Sequence, residues 1–115
     1  MSGWQDVGSA AELAEAGRLV ARIGGREVGI LADGDCVHAI RNRCPHHGGP
    51  LALGRVRERE TGRPGAYEPT GKRVLRCPWH GWEFDLETGR CLDDPKFRAA
   101  VYEAKIEDGR VIVSA

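Results

Sequence analysis

The sequence has no net charge: 17 Lys and Arg stand against 17 Asp and Glu in 115 residues. A neutral chain has no global attraction for nucleic acid or an anionic membrane, so neither is expected among its partners. No apolar run approaches the ~20 residues that a helix needs to cross a bilayer. The start, Met1 to Val7, lacks a basic segment leading into an apolar one, so no secretory signal is expected and a cytoplasmic location is. No internal repeat stands out. What is present is ordinary for a globular chain: 41% hydrophobic residues, 30% charged residues, and turn formers in number, with 16 Gly and 6 Pro. The length predicts one domain, spanning 1–115.

Charge is uneven along the chain. Ala52 to Arg76 carries a balance of +4, and Glu83 to Asp94 a balance of −4. The two segments either offset each other as solvated faces or form a polarised surface that orients a partner.

Ser9-Ala10-Ala11-Glu12 fits a capping box, so a short helical turn is expected to run to about Ala16 and stop at Gly17. Beyond it the pattern is of short strands between turns. Arg18 to Ile23 and Arg26 to Leu31 flank Gly24-Gly25, and Cys36 to Arg41 follows Asp33-Gly34. Lys72 to Arg76 and Trp82 to Asp85 are further strands, and Ala100 to Glu107 and Arg110 to Ser114 flank Asp108-Gly109. Many short strands with one helical turn predict an antiparallel all-β sandwich or barrel. Arg59 to Gly71, rich in Gly, Pro and charge, reads as an exposed loop or a loosely ordered hairpin.

Four Cys in a short chain invite a disulfide reading. The neighbours of two of them oppose it. Cys44-Pro45-His46 and Cys77-Pro78-Trp79-His80 each set a thiol and an imidazole on one tight loop. Proline fixes each turn, and glycine follows in both, at Gly48-Gly49 and Gly81, where backbone can approach a bound object closely. Two Cys and two His from two loops make a four-ligand shell. Zinc is one occupant to weigh, but its sites usually draw a Cys-x-x-Cys pair. Here each loop mixes Cys with His. A two-iron cluster has two ends, so each loop can give its Cys to one iron and its His to the other.

Cys-Pro-His-His-Gly-Gly-Pro-Leu at 44–51 and Cys-Pro-Trp-His-Gly-Trp-Glu-Phe-Asp at 77–85 resemble the two cluster-binding boxes of Rieske [2Fe-2S] proteins. The tail from Thr88 to Pro95 is similar to the family's cover loop. The gap between the boxes is longer than in the ferredoxin-type members, and the extra length falls in the polar stretch near 59–71. The resemblance implies an antiparallel Rieske-type sandwich with a small two-loop cluster-binding subdomain at about 42–95. It implies a Rieske-type [2Fe-2S] cluster with Cys44 and Cys77 on one iron and His46 and His80 on the other. Two ferric ions, two sulfides and two thiolates sum to a neutral oxidised site, where four thiolates would leave a dianion. A neutral site accepts an electron more easily. High-potential members carry a disulfide where this chain has Gly49 and Trp79, and hydroxyls where it has Trp82 and Phe84. Their absence here implies a potential toward the lower end of the Rieske range.

Cys36 and Cys91 are expected to be packing residues, His38 a surface or partly buried strand residue, and Trp4 and Trp82 core. His47, Trp79 and Pro95 are expected at a docking rim, flanked by Arg76 on one side and by Asp93 and Asp94 on the other. The implied function is a soluble Rieske-type ferredoxin passing single electrons from a flavin reductase to a terminal oxygenase, with no catalytic residues of its own. The alternative is the small subunit of a larger oxidoreductase, such as a nitrite reductase small-subunit relative. A structural zinc module is a third reading.

Overall fold

A computed structural model of the chain describes residues 4–34, 36–45, 48–61, 65, 68–79 and 81–114. In chain order the elements are β1 (Trp4–Ser9), α1 (Ala10–Ala16), β2 (Arg18–Ile23), β3 (Arg26–Asp33), β4 (Cys36–Arg41), a 3-10 turn (Leu51–Leu53), β5 (Arg55–Thr61), β6 (Glu68–Arg76), β7 (Glu83–Asp85), β8 (Val101–Glu107) and β9 (Arg110–Ser114). All strand pairs are antiparallel. They form a six-stranded sheet of order β1-β9-β8-β4-β3-β2 and a three-stranded sheet of order β5-β6-β7. The expected all-β architecture is observed.

Helix α1 is set by its ends. The Ser9 hydroxyl accepts from the Glu12 N–H at 3.0 Å, and the Glu12 carboxylate accepts from the Ser9 N–H at 3.1 Å. Gly17 closes it with φ +79° and donates its N–H to the Leu13 carbonyl. Its one buried side chain, Leu13, is the apolar anchor.

Alternation in the central strands separates two cores. Val28, Ile30 and Ala39 face one side, packing with Leu13, Ile23, Val111 and Val113. Leu31 and Ile40 face the other, packing with Cys44, Leu51, Leu75, Cys77, Phe84, Leu86 and Cys91. Each fully buried Leu or Ile contributes roughly 1.5–3 kcal/mol by leaving water. The second core joins the two sheets. Gly29 makes room for it: a Cβ there would lie 2.7 Å from the Ala52 Cβ. The 3-10 turn is held in that space by polar bonds. Asn42 Oδ1 accepts from the Ala52 N–H at 2.6 Å, and the Arg18 guanidinium donates to the Ala52 carbonyl at 2.6 Å. A two-pronged Arg73–Asp33 pair, at 2.8 and 2.9 Å, ties β6 to β3.

Three expectations need correction, and one open alternative is decided. Strand β1 was not expected, and it pairs with β9 at the far end of the chain. The stretch from Arg59 to Gly71 is a hairpin at its two flanks, the second of its two expected forms, since β5 runs to Thr61 and β6 starts at Glu68. Cys36 is exposed, because it sits beside the turn, opposite Asp33, where the strand leaves the core. Trp4 is half-buried under the Lys105 ammonium, 4.6 Å from its ring centre, and belongs to neither core. Trp82 packs against the second core as a partly buried side chain, and His38 is half-buried. The two charged segments also resolve: Arg57 and Arg59 meet Glu83, Arg59 meets Asp93, and Lys72 meets Asp85. They neutralise one another across the small sheet.

Candidate metal centre

Neither Cys44 nor Cys77 is in a disulfide; both are buried, to 1% and 2% exposure, and they share one core. Each opens a loop closed by the same two backbone bonds. The Cys44 N–H donates to the Gly49 carbonyl and the Cys44 carbonyl accepts from the Gly48 N–H, both at 2.7 Å. The Cys77 N–H donates to the Trp82 carbonyl at 2.7 Å, and the Cys77 carbonyl accepts from the Gly81 N–H at 2.9 Å. Gly48 and Gly81 take left-handed φ values of +75° and +70°, which the closing turn requires. Pro45 and Pro78 are exposed in the matching second position.

A short repeat was overlooked in the sequence. Arg-Cys-Pro-x-His-Gly occurs at 43–48 and again at 76–81. The bond pattern above is its structural expression. In this alignment His80 matches His47, while His46 matches Trp79. The paired loops are therefore alike in backbone and unlike in where the family's Cys-x-His spacing sets the first imidazole. His46, His47 and His80 lie outside the described residues.

The loops also touch each other. A Cβ on Gly49 would lie 3.0 Å from the Trp79 ring, so glycine there lets the indole lie across the first loop. These are the two positions where high-potential relatives of the resemblance carry a disulfide, and here they hold a glycine and an indole. Trp79 itself remains 57% exposed. Phe84 is fully buried and Trp82 partly so, and neither bears a hydroxyl.

Behind the loops runs the cover segment. Cys91 is fully buried; its N–H donates to the Phe97 carbonyl at 3.0 Å, and it bridges Phe84. Burial pushes its thiol pKa up, against the Asp94 and Asp93 amides that favour the thiolate. A buried, protonated thiol here is a packing residue, as expected. Pro95 is exposed at the segment's tip.

Two buried cysteines outside any disulfide, at the heads of paired glycine-closed loops, suit a metal-binding module of the iron–sulfur class. The family model of the Rieske [2Fe-2S] domain matches residues 3–107, and the chain belongs to that family. The cofactor of that domain is the Rieske-type [2Fe-2S] cluster, and two buried cysteines outside any disulfide, in one core, suit its cysteine-bound iron. Human apoptosis-inducing factor 3 is 33% identical over 94 residues, covering 81% of this chain and 13% of that protein. A solved structure assigned as the small subunit of an NADH-dependent nitrite reductase from Mycobacterium tuberculosis matches with a TM-score of 0.84. It is 25% identical and the match covers 100% of this chain and 96% of that one. The ferredoxin of carbazole 1,9a-dioxygenase from Nocardioides aromaticivorans shares the fold, with a TM-score of 0.75 at 23% identity over 96% of each chain.

Proposed function

We propose that the chain is a one-electron carrier whose cluster is held by Cys44 and Cys77 at one iron and by His46 and His80 at the other. Segment 42–95 is the cluster-binding subdomain of one domain over 1–115. The observation that carries this reading is the pair of equivalent loops that present Cys44 and Cys77 to one core. When bound, the cluster supplies a reversible single-electron couple. The chain's own residues do the rest. Cys44 and Cys77 supply thiolate charge from a buried position, and Leu51, Phe84 and Cys91 pack the same core against water. Trp82 and Phe84 bring no hydroxyl to this core, which would disfavour the more negative, reduced state of a bound cluster. The partners in this reading are a flavin reductase and a terminal oxygenase in the cytoplasm. No residue is assigned to catalysis.

A second reading has a specific support. The nitrite reductase small subunit matches this chain over nearly the full length of both. In that reading the chain is the Rieske subunit of a larger oxidoreductase. Co-purification with a large subunit at fixed stoichiometry favours it, and an isolated monomer that accepts electrons from a flavin reductase favours the carrier.

The ligand set is tested by electron resonance of the reduced protein. A rhombic signal of Rieske type is expected, lost in His46→Ala and in His80→Ala and kept in His47→Ala. Loss in His47→Ala with retention in His46→Ala would move the ligand to the position that the repeat makes equivalent to His80. Zinc without iron after anaerobic preparation would refute the cluster.

A further inference from the structure

The basic side chains around the small sheet fall into two groups. Arg57 and Arg59 meet Glu83, Lys72 meets Asp85, and Arg73 meets Asp33. Arg41, Arg43, Arg55 and Arg76 are exposed, and none forms an ion pair with a carboxylate among the described residues. These four edge two hollows beside the cysteine loops. One, of about 550 Å³, is walled by Arg55, Arg57 and Arg76 with Pro78 and Trp79. The other, of about 260 Å³, is walled by Arg41, Arg43 and Arg98 with Pro45.

Arg43 and Arg76 hold matching places. Each precedes its cysteine, and each lays its guanidinium against the loop glycine. A Cβ on Gly48 would lie 3.6 Å from Arg43, and one on Gly81 would lie 2.9 Å from Arg76. Both thus occupy the space a side chain would take at the loop glycine, with no counter-charge among the described residues. A guanidinium held this way keeps its planar fork of donors for a carboxylate brought by another molecule.

The acidic residues once expected to flank the rim are otherwise engaged. The Asp93 carboxylate accepts from the Glu83 N–H at 2.7 Å and faces Arg59 at 3.7 Å. Asp94 accepts from the Lys96 N–H at 3.3 Å and faces its ammonium at 3.7 Å. The chain as a whole is neutral, so the positive excess is local to the loops.

We propose that this end of the molecule docks a carboxylate-rich face of a redox partner, with Arg43 and Arg76 as paired contacts and Trp79 as the apolar centre. The inference rests on the electron-transfer reading above. Such a contact is small and transient, and its charges set approach and register more than residence time. A net charge of zero sharpens the test, because long-range attraction to the whole molecule is absent.

The probe is a fluorescein-labelled oligoglutamate peptide, followed by anisotropy with cluster-loaded protein whose visible absorption is scored alongside. Binding is expected to weaken about tenfold from low to physiological ionic strength. Arg43→Gln with Arg76→Gln is expected to weaken it about tenfold at low salt. Asp93→Asn with Asp94→Asn, and the remote Arg22→Gln, are expected to leave it unchanged within about twofold. Equal binding by the double arginine variant, stronger binding of oligolysine, or tighter binding of a single-stranded RNA of equal charge would each overturn the proposal. A preparation without the cluster's visible absorption would sink the electron-transfer reading instead, while the peptide titration still decides the basic face.

Discussion

Gly89 and Gly109 offer a controlled comparison of two glycines that share a backbone conformation and differ in surroundings. Their φ values are +79° and +76°, so an alanine at either meets the same left-handed penalty of roughly 1–2 kcal/mol. Around Gly109 a Cβ would meet nothing within 4 Å, whereas at Gly89 it would fall inside the van der Waals surface of the Ala99 carbonyl oxygen. That oxygen is backbone and cannot swing aside. Gly89 also donates its N–H to the Asp85 carbonyl at 2.7 Å and accepts from the Ala99 N–H at 2.8 Å. Relief of the clash must therefore stretch the bonds that hold the cover segment over the second core. Overpacking of this kind adds about 1–3 kcal/mol. Gly89→Ala should thus be the more destabilised by about that amount, seen as a lower urea midpoint by far-ultraviolet circular dichroism. It should also lose cluster absorption ahead of backbone unfolding, because the displaced segment carries Cys91 into the core shared with Cys44 and Cys77. Equal midpoints for the two variants would refute the argument that the Ala99 contact, rather than the φ angle, fixes glycine at 89.

Two further outcomes follow from the site and the sheet junction. The reduction potential is expected on the negative side of the family's span of about −150 to +300 mV, because Gly49, Trp79, Trp82 and Phe84 bring neither disulfide nor hydroxyl to the loops; a voltammetric value above about +200 mV contradicts this. The Arg73 guanidinium holds the Asp33 carboxyl below the usual carboxylate range, with burial opposing it. Its folded pKa is depressed, so the pair's stabilisation is present above the unfolded value of about 3.9 and lost as pH falls through the folded one. Asp33→Asn should therefore lower the thermal midpoint at pH 7, by an amount that shrinks toward zero on acidification below about pH 4; a gap that widens in acid would be inconsistent with the pair.

Local signals were legible. The capping box at Ser9 and Glu12, the left-handed stop at Gly17 and the Gly24-Gly25 and Asp108-Gly109 hairpins each act within a few residues, and each formed as expected. Strand β1 escaped because Trp-Gln-Asp-Val-Gly-Ser has little alternation and its partner, β9, lies at the opposite end of the chain. Its register breaks at a bulge between Asp6 and Gly8, which blurs the pattern further. The fate of the charges was hidden for a similar reason. Nothing in the order of residues says that Arg57 and Glu83 will meet from the two outer strands of one sheet while Arg43 and Arg76 find no carboxylate among the described residues. At the site the boxes at 44–51 and 77–85 carried the family in plain view. The equivalence of their backbones was also written there, in the repeated Arg-Cys-Pro-x-His-Gly, but it acquires meaning only when the carbonyls of Cys44 and Cys77 are seen to accept the same bond.

The junction between the sheets has a consequence for how such a chain tolerates change. Strand β4 pairs directly with β8, through Ala39 with Tyr102 and Ile40 with Val101, although residues 42–100, with both cysteine loops, intervene in sequence. The last bond of that seam runs from the Arg41 N–H to the Ala100 carbonyl at 2.8 Å, so the segment departs and returns through one doorway. Lengthening what hangs beyond a closed doorway costs only a logarithm of its length and leaves the large sheet's register untouched. The extended hairpin of β5 and β6 is an instance already accepted. The same closure makes the large sheet a platform whose strand pairing does not run through the cysteine loops.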